Sequence, residues 1–385
     1  MKICKCCIQP DTRPGIFFDE NGKCGACIWE EEKKNIDWNQ REEQLQEIAQ
    51  WAKKTTKSDY DCVIGVSGGK DSTYQAITAR DSLGLRCLLV HGEPDGRTEI
   101  GNHNIENLKK LGFDVISLRP NPKIMQKLVT RDFYKYGNPQ KVTEFSLYSS
   151  AYIIADMFNI PLIIQGENAG LTLGVSKTGL GKGYDALKIN ESNTLSTGWE
   201  DYLTNGITKK DMWMFHYDRK SLENKGVKAI WIQYFLKDWD LFHNASFAEK
   251  YGFKGRSADF DCESIGTFLL FSQIDSDLVQ VTQMLKHVKF GFGQAMDHAC
   301  YGIRSGKFTR KEAIQLVKKY DGKCSEYYIK KLCDYMEISI DEFWKVANSF
   351  RGKMWKKLKD GSWYNTYWNY LEEQDSNNDK SLKDK

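Results

Sequence analysis

The sequence predicts an α/β fold, a mostly parallel sheet with helices on both faces, with a small zinc-ribbon-like module before it and a helical region after it. Three observations carry that prediction. Short apolar runs alternate with helical patterns between residues 62 and 167, the order that winds a parallel sheet between helices. Four cysteines stand near the start as C-x2-C-x16-C-x2-C. Beyond about Cys262 the pattern turns helical throughout, with two starts of the form Thr/Ser-x-x-Glu.

Residues 1–30 form the cysteine-rich, zinc-binding module, dense in turn formers. Residues 31–57 read as a joining helix, because Leu45, Ile48, Ala49 and Ala52 recur at three- and four-residue intervals. Residues 58–260 make the main domain. Its first strand is CVIGV (62–66), followed by a helix from about Ser72 to Leu83. LRCLLVHG (85–92) is the second strand, and TEIGNHNIENLKKLG (98–112) a helix ended by Gly112. FDVISL (113–118), helices near 121–135 and 146–158, and the strand IPLIIQGE (160–167) continue the alternation. Ligands in such folds bind beyond the carboxyl ends of the strands. From Gly166 to Gly206 periodicity dissolves in a stretch with eight glycines, read as a substrate-covering lid or as disorder. VKAIWIQYFLKDW (227–239) reads as a strand running into a helix. Residues 261–370 form the helical domain, with starts at Thr309 and Ser339, and the polar tail 371–385 is expected to be disordered.

Composition excludes several classes. A chain of 385 residues buries a large core, and a formal net charge of +3 argues against a dedicated nucleic-acid binder with a strongly basic face. No apolar run approaches the ~18 residues of a membrane span. The opening MKICKCC lacks the apolar core of a signal peptide, so a cytoplasmic protein with no membrane partner is expected. There are eleven cysteines, and in a reducing compartment a local cluster reads as a metal site. The scattered six, Cys62, Cys87, Cys262, Cys300, Cys324 and Cys333, read as small core residues.

Cys4 with Cys7, and Cys24 with Cys27, can each fold into a knuckle presenting two thiolates. Two knuckles fill a tetrahedral site and leave no open position, so the metal is structural. Zinc is the expected ion and an iron–sulfur cluster its competitor, while Cys6 is an alternative ligand in the first pair. The run Ser67-Gly68-Gly69-Lys70-Asp71-Ser72 follows the first strand directly. Asp71 stands where a Walker loop has Ser or Thr after its lysine, so this is a different phosphate cradle. Glycines let backbone N–H groups converge on an anion, and the helix N-terminus adds positive potential. The hydroxyls of Ser67, Ser72 and Thr73 can donate hydrogen bonds, and Lys70 is the charge partner of the phosphates. An aspartate inside an anion cradle repels phosphate unless a cation intervenes, which assigns Asp71 to Mg²⁺.

SGGKDS after the first strand of an α/β domain resembles the PP-loop ATP pyrophosphatase superfamily, which includes GMP synthetase, asparagine synthetase and tRNA-thiolation enzymes. That resemblance implies cleavage of ATP between the α- and β-phosphates, with Lys70 and Asp71 catalytic. Further blocks narrow it: CKCCIQPDTRPGIFFDENGKCGAC at the start, NIENLKKLGFD (104–114), IPLIIQGEN (160–168) and KFGFGQAMDHACYGIRSGKFTR (289–310). Together, over roughly residues 1–350, they look like the N-acetyl sugar amidotransferases, which place acetamidino groups on bacterial surface sugars such as pseudaminic and legionaminic acids or O-antigen mannuronic acid derivatives. The implied substrates are ATP and an N-acetylated nonulosonic acid or UDP-sugar. This chain has no G-x-C-x-G elbow of a glutaminase, and Lys2 rather than Cys follows Met1. The family resemblance implies a separate glutaminase subunit that supplies ammonia.

Gly166, Glu167 and Asn168 end a strand where the sheet presents groups to a ligand. They read as sugar-positioning residues, with Glu167 a general base for ammonia, or as an ordinary polar strand end. His91 ends the second strand, where the superfamily contacts adenosine. Arg304 suits a bidentate clamp on a carboxylate or phosphate, or a helix-terminal cap. Lys177, Lys182 and Lys188 meet an anion or are solvated. The aromatic set Trp355, Trp363, Tyr364, Tyr367, Trp368 and Tyr370 stacks on a sugar or base, or packs a core. The rival function is tRNA thiolation, which pairs similar motifs with an RNA-binding surface and often a cysteine near the nucleotide, a role for which Cys262 is the weak candidate.

Overall fold

A computed structural model of the protein describes residues 1–175, 183–189, 193–204 and 206–372. Lys177, Lys182 and residues 373–385 lie outside the described residues. The N-terminal module closes on α1 (Gly25–Glu32), and a turn at Ile36 and Asp37 separates it from α2 (Trp38–Thr55). Asp37 sets the start of α2: its side chain accepts from the Gln40 N–H, so the expected joining helix begins at Trp38 rather than at residue 31, after a 3-10 segment at Lys33–Asn35.

The main domain follows as β1 (Cys62–Val66), α3 (Lys70–Ile77), β2 (Cys87–Gly92), α4 (Glu99–Lys110), β3 (Asp114–Leu118), α5 (Pro122–Tyr136), α6 (Lys141–Phe158) and β4 (Leu162–Gln165). It continues through the short α7 (Ala169–Thr172), α8 (Arg219–Asn224), β5 (Lys228–Trp231) and α9 (Leu241–Lys250). The five strands lie in the order β3-β2-β1-β4-β5, all parallel. Chain direction across the sheet therefore reverses between β1 and β4, and the crevice at such a switch point is where open α/β sheets bind ligands. Ile64 pairs with Ile164 across this boundary, which brings residues 67–69 and 166–168 out side by side.

Strand residues alternate between two cores, as a period of two requires. Cys62, Ile64, Val66, Leu89 and Ile164 pack with Leu45, Ala49 and Ala52 of α2 and with Tyr74 and Ile77 of α3. Val63, Val90, Ile163 and Ala229 face α5, α6 and the C-terminal helices.

The C-terminal region holds α10 (Val279–Phe290), α11 (Gln294–Arg304), α12 (Arg310–Tyr320), α13 (Glu326–Met336) and α14 (Ile340–Ser349). Thr309 and Glu312 form a complete capping box at α12, and the Ser339 side chain accepts from the Glu342 N–H at α14. The region is not all helix: β6 (Trp355–Lys357) and β7 (Trp363–Asn365) form an antiparallel hairpin. Asp360-Gly361 supplies the turn, with Gly361 at φ +86°, and Lys357 sits opposite Trp363. The expected strand-to-helix run at 227–239 ends instead in a 3-10 turn at Ile232–Tyr234, before Asp240 caps α9.

The N-terminal module packs against the C-terminal region. Ile3, Cys7 and Ile8 share a core with Phe292, Met296 and Ala299 of the helical region and with Tyr367, whose hydroxyl donates to the Ile8 carbonyl at 2.8 Å. The expected core role of Tyr367 holds. Among the described residues no helix is long and apolar enough to cross a membrane.

Candidate active site

The loop after β1 is shaped by one conformational requirement. Gly68 has φ +77°, and a Cβ there would lie 3.1 Å from the Asn104 Cβ and 3.2 Å from the Ile105 nitrogen. Gly69 is the residue before α3, so the free N–H groups of the first helical turn face the end of the sheet. The hydroxyls of Ser72 and Thr73 donate to the Gly69 carbonyl at 3.1 and 3.0 Å, and Ser67 Oγ accepts from the Gly69 N–H at 3.3 Å. These hydroxyls brace the turn from within.

Lys70 Nζ lies 2.6 Å from Asp71 Oδ2, and Asn244 Nδ2 of α9 donates to Asp71 Oδ1 at 2.7 Å. Lys70 is nearly buried, whereas the Asp71 side chain is about one-third exposed and open to the cavity. Such a carboxylate suits a hard cation, which takes oxygen ligands. Asn244 is fully buried with its Oδ1 unpartnered, so its amide is committed to Asp71.

A cavity of about 460 Å³ opens at this point. Ser67, Gly69, Lys70, Asp71 and Ser72 line one side and Glu167 the adjoining edge. The opposite wall comes from the C-terminal region, including Gln283, Lys286, Gln294, Asp297, His298 and Tyr301. The Tyr301 hydroxyl donates to Glu167 Oε1, which ties the end of β4 to α11. Lys286 Nζ is 2.6 Å from Asp297, which Arg13 of the N-terminal module also contacts. Burial opposes the charge on Asp297, but Arg13 and Lys286 hold its carboxyl below the ordinary value. Burial lowers His298 to about 3, so the ring is neutral, bonded to Thr267 at 2.6 Å. Gln273, on the same wall, has φ +47°. The other non-glycine residues with positive φ among the described residues, Asn159 and Glu337, end helices; Gln273 does not, and backbone strain of this kind gathers at binding sites.

A second, smaller cavity of about 40 Å³ shares Asp71, Glu167, Leu241 and Tyr301 with the first. Ala26, Trp29 and Glu30 of α1 line its far side, with Arg304 between.

Other expected residues fall elsewhere. Gly166 lies at the strand end beside Trp239. Asn168 is buried: its N–H donates to Gln233 Oε1 at 2.8 Å and its Oδ1 caps α7. His91 is buried with Nδ1 3.1 Å from the Val66 carbonyl, and burial lowers its pKa. Arg304 donates to the Thr172 carbonyl at 3.2 Å and stacks on Tyr301, facing the smaller cavity. Lys188 is exposed. The wall residues Gln273, Lys286, Asp297, His298 and Tyr301 were not singled out from sequence. Asp297, His298 and Tyr301 lie within KFGFGQAMDHACYG, where nothing local marks which side chains turn to the sheet.

The Sγ atoms of Cys4, Cys7, Cys24 and Cys27 all lie within 4.8 Å of one another, with Cys4–Cys27 and Cys7–Cys24 both at 3.7 Å. A tetrahedral ion with 2.3 Å metal–sulfur bonds sets its sulfurs about 3.8 Å apart, so these residues fit one ion. A multi-iron cluster spreads its thiolates wider. Hydrogen bonds from Cys24, Cys27 and Cys7 hold Cys4 well below the ordinary thiol value, while Cys27 is pushed far above it by Cys24 and Cys4. Four cysteine sulfurs this close have the geometry to hold one cation. Cys6 is half-buried and outside the cluster.

Strand order, loop and switch-point cavity together define an α/β protein with the SGGKDS loop at the switch point of a five-stranded parallel sheet, an N-terminal cysteine cluster and C-terminal helices. Within it, residues 263–373 match the family model described as LPS biosynthesis protein WbpG-like, C-terminal domain. That match supports the resemblance to the N-acetyl sugar amidotransferases. Among solved structures, NMN synthetase from Francisella tularensis is similar at 14% identity, covering 79% of this chain and 98% of that one, with a TM-score of 0.34. No curated protein matches.

Proposed function

We propose that this chain is an ATP-dependent amidotransferase acting on an N-acetylated bacterial surface-sugar precursor, a nonulosonic acid or a UDP-sugar. One observation carries the reading: the PP-loop and Glu167 share a cavity whose far wall belongs to the region matching a lipopolysaccharide-biosynthesis family.

The acetamido oxygen of the sugar attacks the α-phosphorus of ATP, the bond to the bridging oxygen breaks, and pyrophosphate leaves. Ammonia then adds to the imidate carbon. AMP departs with the electron pair of the C–O bond, and loss of a proton leaves the acetamidino group. Adenylation is needed because an amide oxygen is otherwise a poor leaving group. In this reading the α3 N-terminus and Lys70 receive pyrophosphate. Asp71 is the residue that would hold Mg²⁺, which would offset the phosphate charge. Glu167, steadied by Tyr301, takes the proton of the incoming ammonia. The four cysteines hold zinc as a structural ion.

A separate glutaminase subunit supplies ammonia in this reading. The smaller cavity supports it: about 40 Å³ admits a water-sized molecule and neither a sugar nor a nucleotide, and it reaches Glu167 from the side of α1. Against tRNA thiolation stands the lining of the main cavity, which contains no cysteine among the described residues. Cys262 is outside it.

The test is pyrophosphate release from ATP and Mg²⁺ with ammonium, using N-acetylated nonulosonic acids, UDP-N-acetyl sugars and tRNA in parallel. Release that requires one of the sugars supports the proposal. Release with tRNA alone overturns it.

A further inference from the structure

A third cavity, of about 600 Å³, lies in the C-terminal region among α10, α14 and the β6–β7 hairpin. Its size is that of a small-molecule site, ~300–1,000 Å³. Trp344, Trp355 and Trp363 line it together with Arg351. It shares no lining residue with the cavity at the PP-loop.

The Arg351 guanidinium lies 4.7 Å from the Trp355 ring centre and 4.8 Å from that of Trp363. Its Nε donates to Asn348 Oδ1 at 2.8 Å, and no carboxylate pairs with it among the described residues. The other charges of the wall are engaged. Lys323 pairs with Glu263, His287 with Asp321 at 2.9 Å, and Asp261 caps the turn at Glu263. Trp355 Nε1 is a buried donor with no partner. An arginine within 5 Å of two indole ring centres and bonded through Nε keeps its two Nη groups as a fork, the geometry that grips a carboxylate or phosphate. The surrounding wall combines indole surface with hydroxyls, amines and carboxylates at Ser264, Ser325, Lys323 and Glu263. Apolar faces and paired donors and acceptors are what a pyranose ring requires.

We propose that this cavity is a second ligand site, distinct from the PP-loop cavity, that binds an acidic sugar: a pyranose carrying a carboxylate or phosphate, with Arg351 on the anion and the indoles on the ring. The site does not depend on the reaction at the PP-loop.

The experiment is equilibrium titration of the full, metal-loaded chain, followed by tryptophan fluorescence. The probes are D-glucuronate, α-D-glucose 1-phosphate, neutral D-glucose and inorganic phosphate. Saturable binding of at least one anionic sugar is expected, at least tenfold tighter than D-glucose or inorganic phosphate; which one binds tells carboxylate from phosphate. Arg351→Met should cut that affinity at least tenfold and bring it to the level of glucose. Arg351→Lys, which keeps the charge without the fork, should fall between, and Trp363→Leu should weaken every sugar. Circular dichroism and metal content establish that each variant is folded. Wild-type affinity in both Arg351→Met and Trp363→Leu, no saturable binding by the wild type, or equal binding of inorganic phosphate and glucose 1-phosphate overturns the proposal.

Discussion

Tyr301, in the last turn of α11, donates its hydroxyl hydrogen to Glu167, which stands 134 residues earlier just past the carboxyl end of β4. The bond joins the C-terminal region to the switch point of the sheet and fixes where the Glu167 carboxylate points. Tyr301→Phe removes the donor and leaves the ring. A hydrogen bond to a charged group is worth ~1.5–3 kcal/mol, so pyrophosphate-forming turnover is expected to fall about 10- to 100-fold while the thermal midpoint moves little. Unchanged steady-state kinetics would show that the bond only locks the two regions together.

Asp71 is gripped by Lys70 and Asn244, and its role is read from the mismatch between a carboxylate and a phosphate cradle. Asp71→Asn keeps the shape and the contact to Lys70 but removes the charge. Turnover should drop by about two orders of magnitude or more with the fold intact, and the dependence on Mg²⁺ concentration should shift upward. Kinetics at graded Mg²⁺ check both outcomes.

The cysteine cluster predicts one tightly held metal per chain. Cys27→Ser should lose it, and Cys6→Ser should keep it, as read by metal analysis of the purified proteins. Because Cys7 and Ile8 pack on Met296 and Ala299, metal loss should also lower the thermal midpoint of the C-terminal helices.

His298 gives a pH signature. Its folded pKa, lowered by burial to about 3, lies below the ~6.5 of an unfolded chain. Between those values the unfolded state binds one more proton, so this group's contribution is fully present above pH 6.5 and is lost as pH falls toward 3. The slope is at most ~1.4 kcal/mol per pH unit. Urea unfolding from pH 7 to pH 5 should show stability falling more steeply in the wild type than in His298→Gln.

Much of the sheet was legible because parallel strands buried on both faces read as continuous apolar runs. CVIGV and the apolar part of LRCLLVHG are such runs, and the glycines after CVIGV can only serve a tight turn. The knuckles were legible because metal ligation fixes sequence spacing. What was not legible arises from long-range packing. Asn244 reaches Asp71 from 173 residues away, and in the sequence it is one polar residue in an ordinary amphipathic helix. Tyr301, Lys286 and His298 turn to the cavity because Phe292, Met296 and Cys300 take the opposite side against the N-terminal module. No local pattern announces which side of α11 meets which partner. Asn168 sits within the strand-end segment that sequence singled out, yet its amide is spent on capping α7. The hairpin at 355–365 was missed because two strands of three residues carry too little periodicity to register against helical surroundings.

In the proposed reaction the acetamido oxygen of the sugar becomes bonded to the α-phosphorus of ATP. The direct test uses an N-acetylated sugar substrate labelled with oxygen-18 in its acetyl carbonyl, incubated with the enzyme, ATP, Mg²⁺ and ammonium, with mass analysis of the AMP formed. One labelled oxygen in the phosphate of AMP, matched to an acetamidino product free of the label, is the predicted result. Unlabelled AMP, with the label retained in the sugar product, would contradict it.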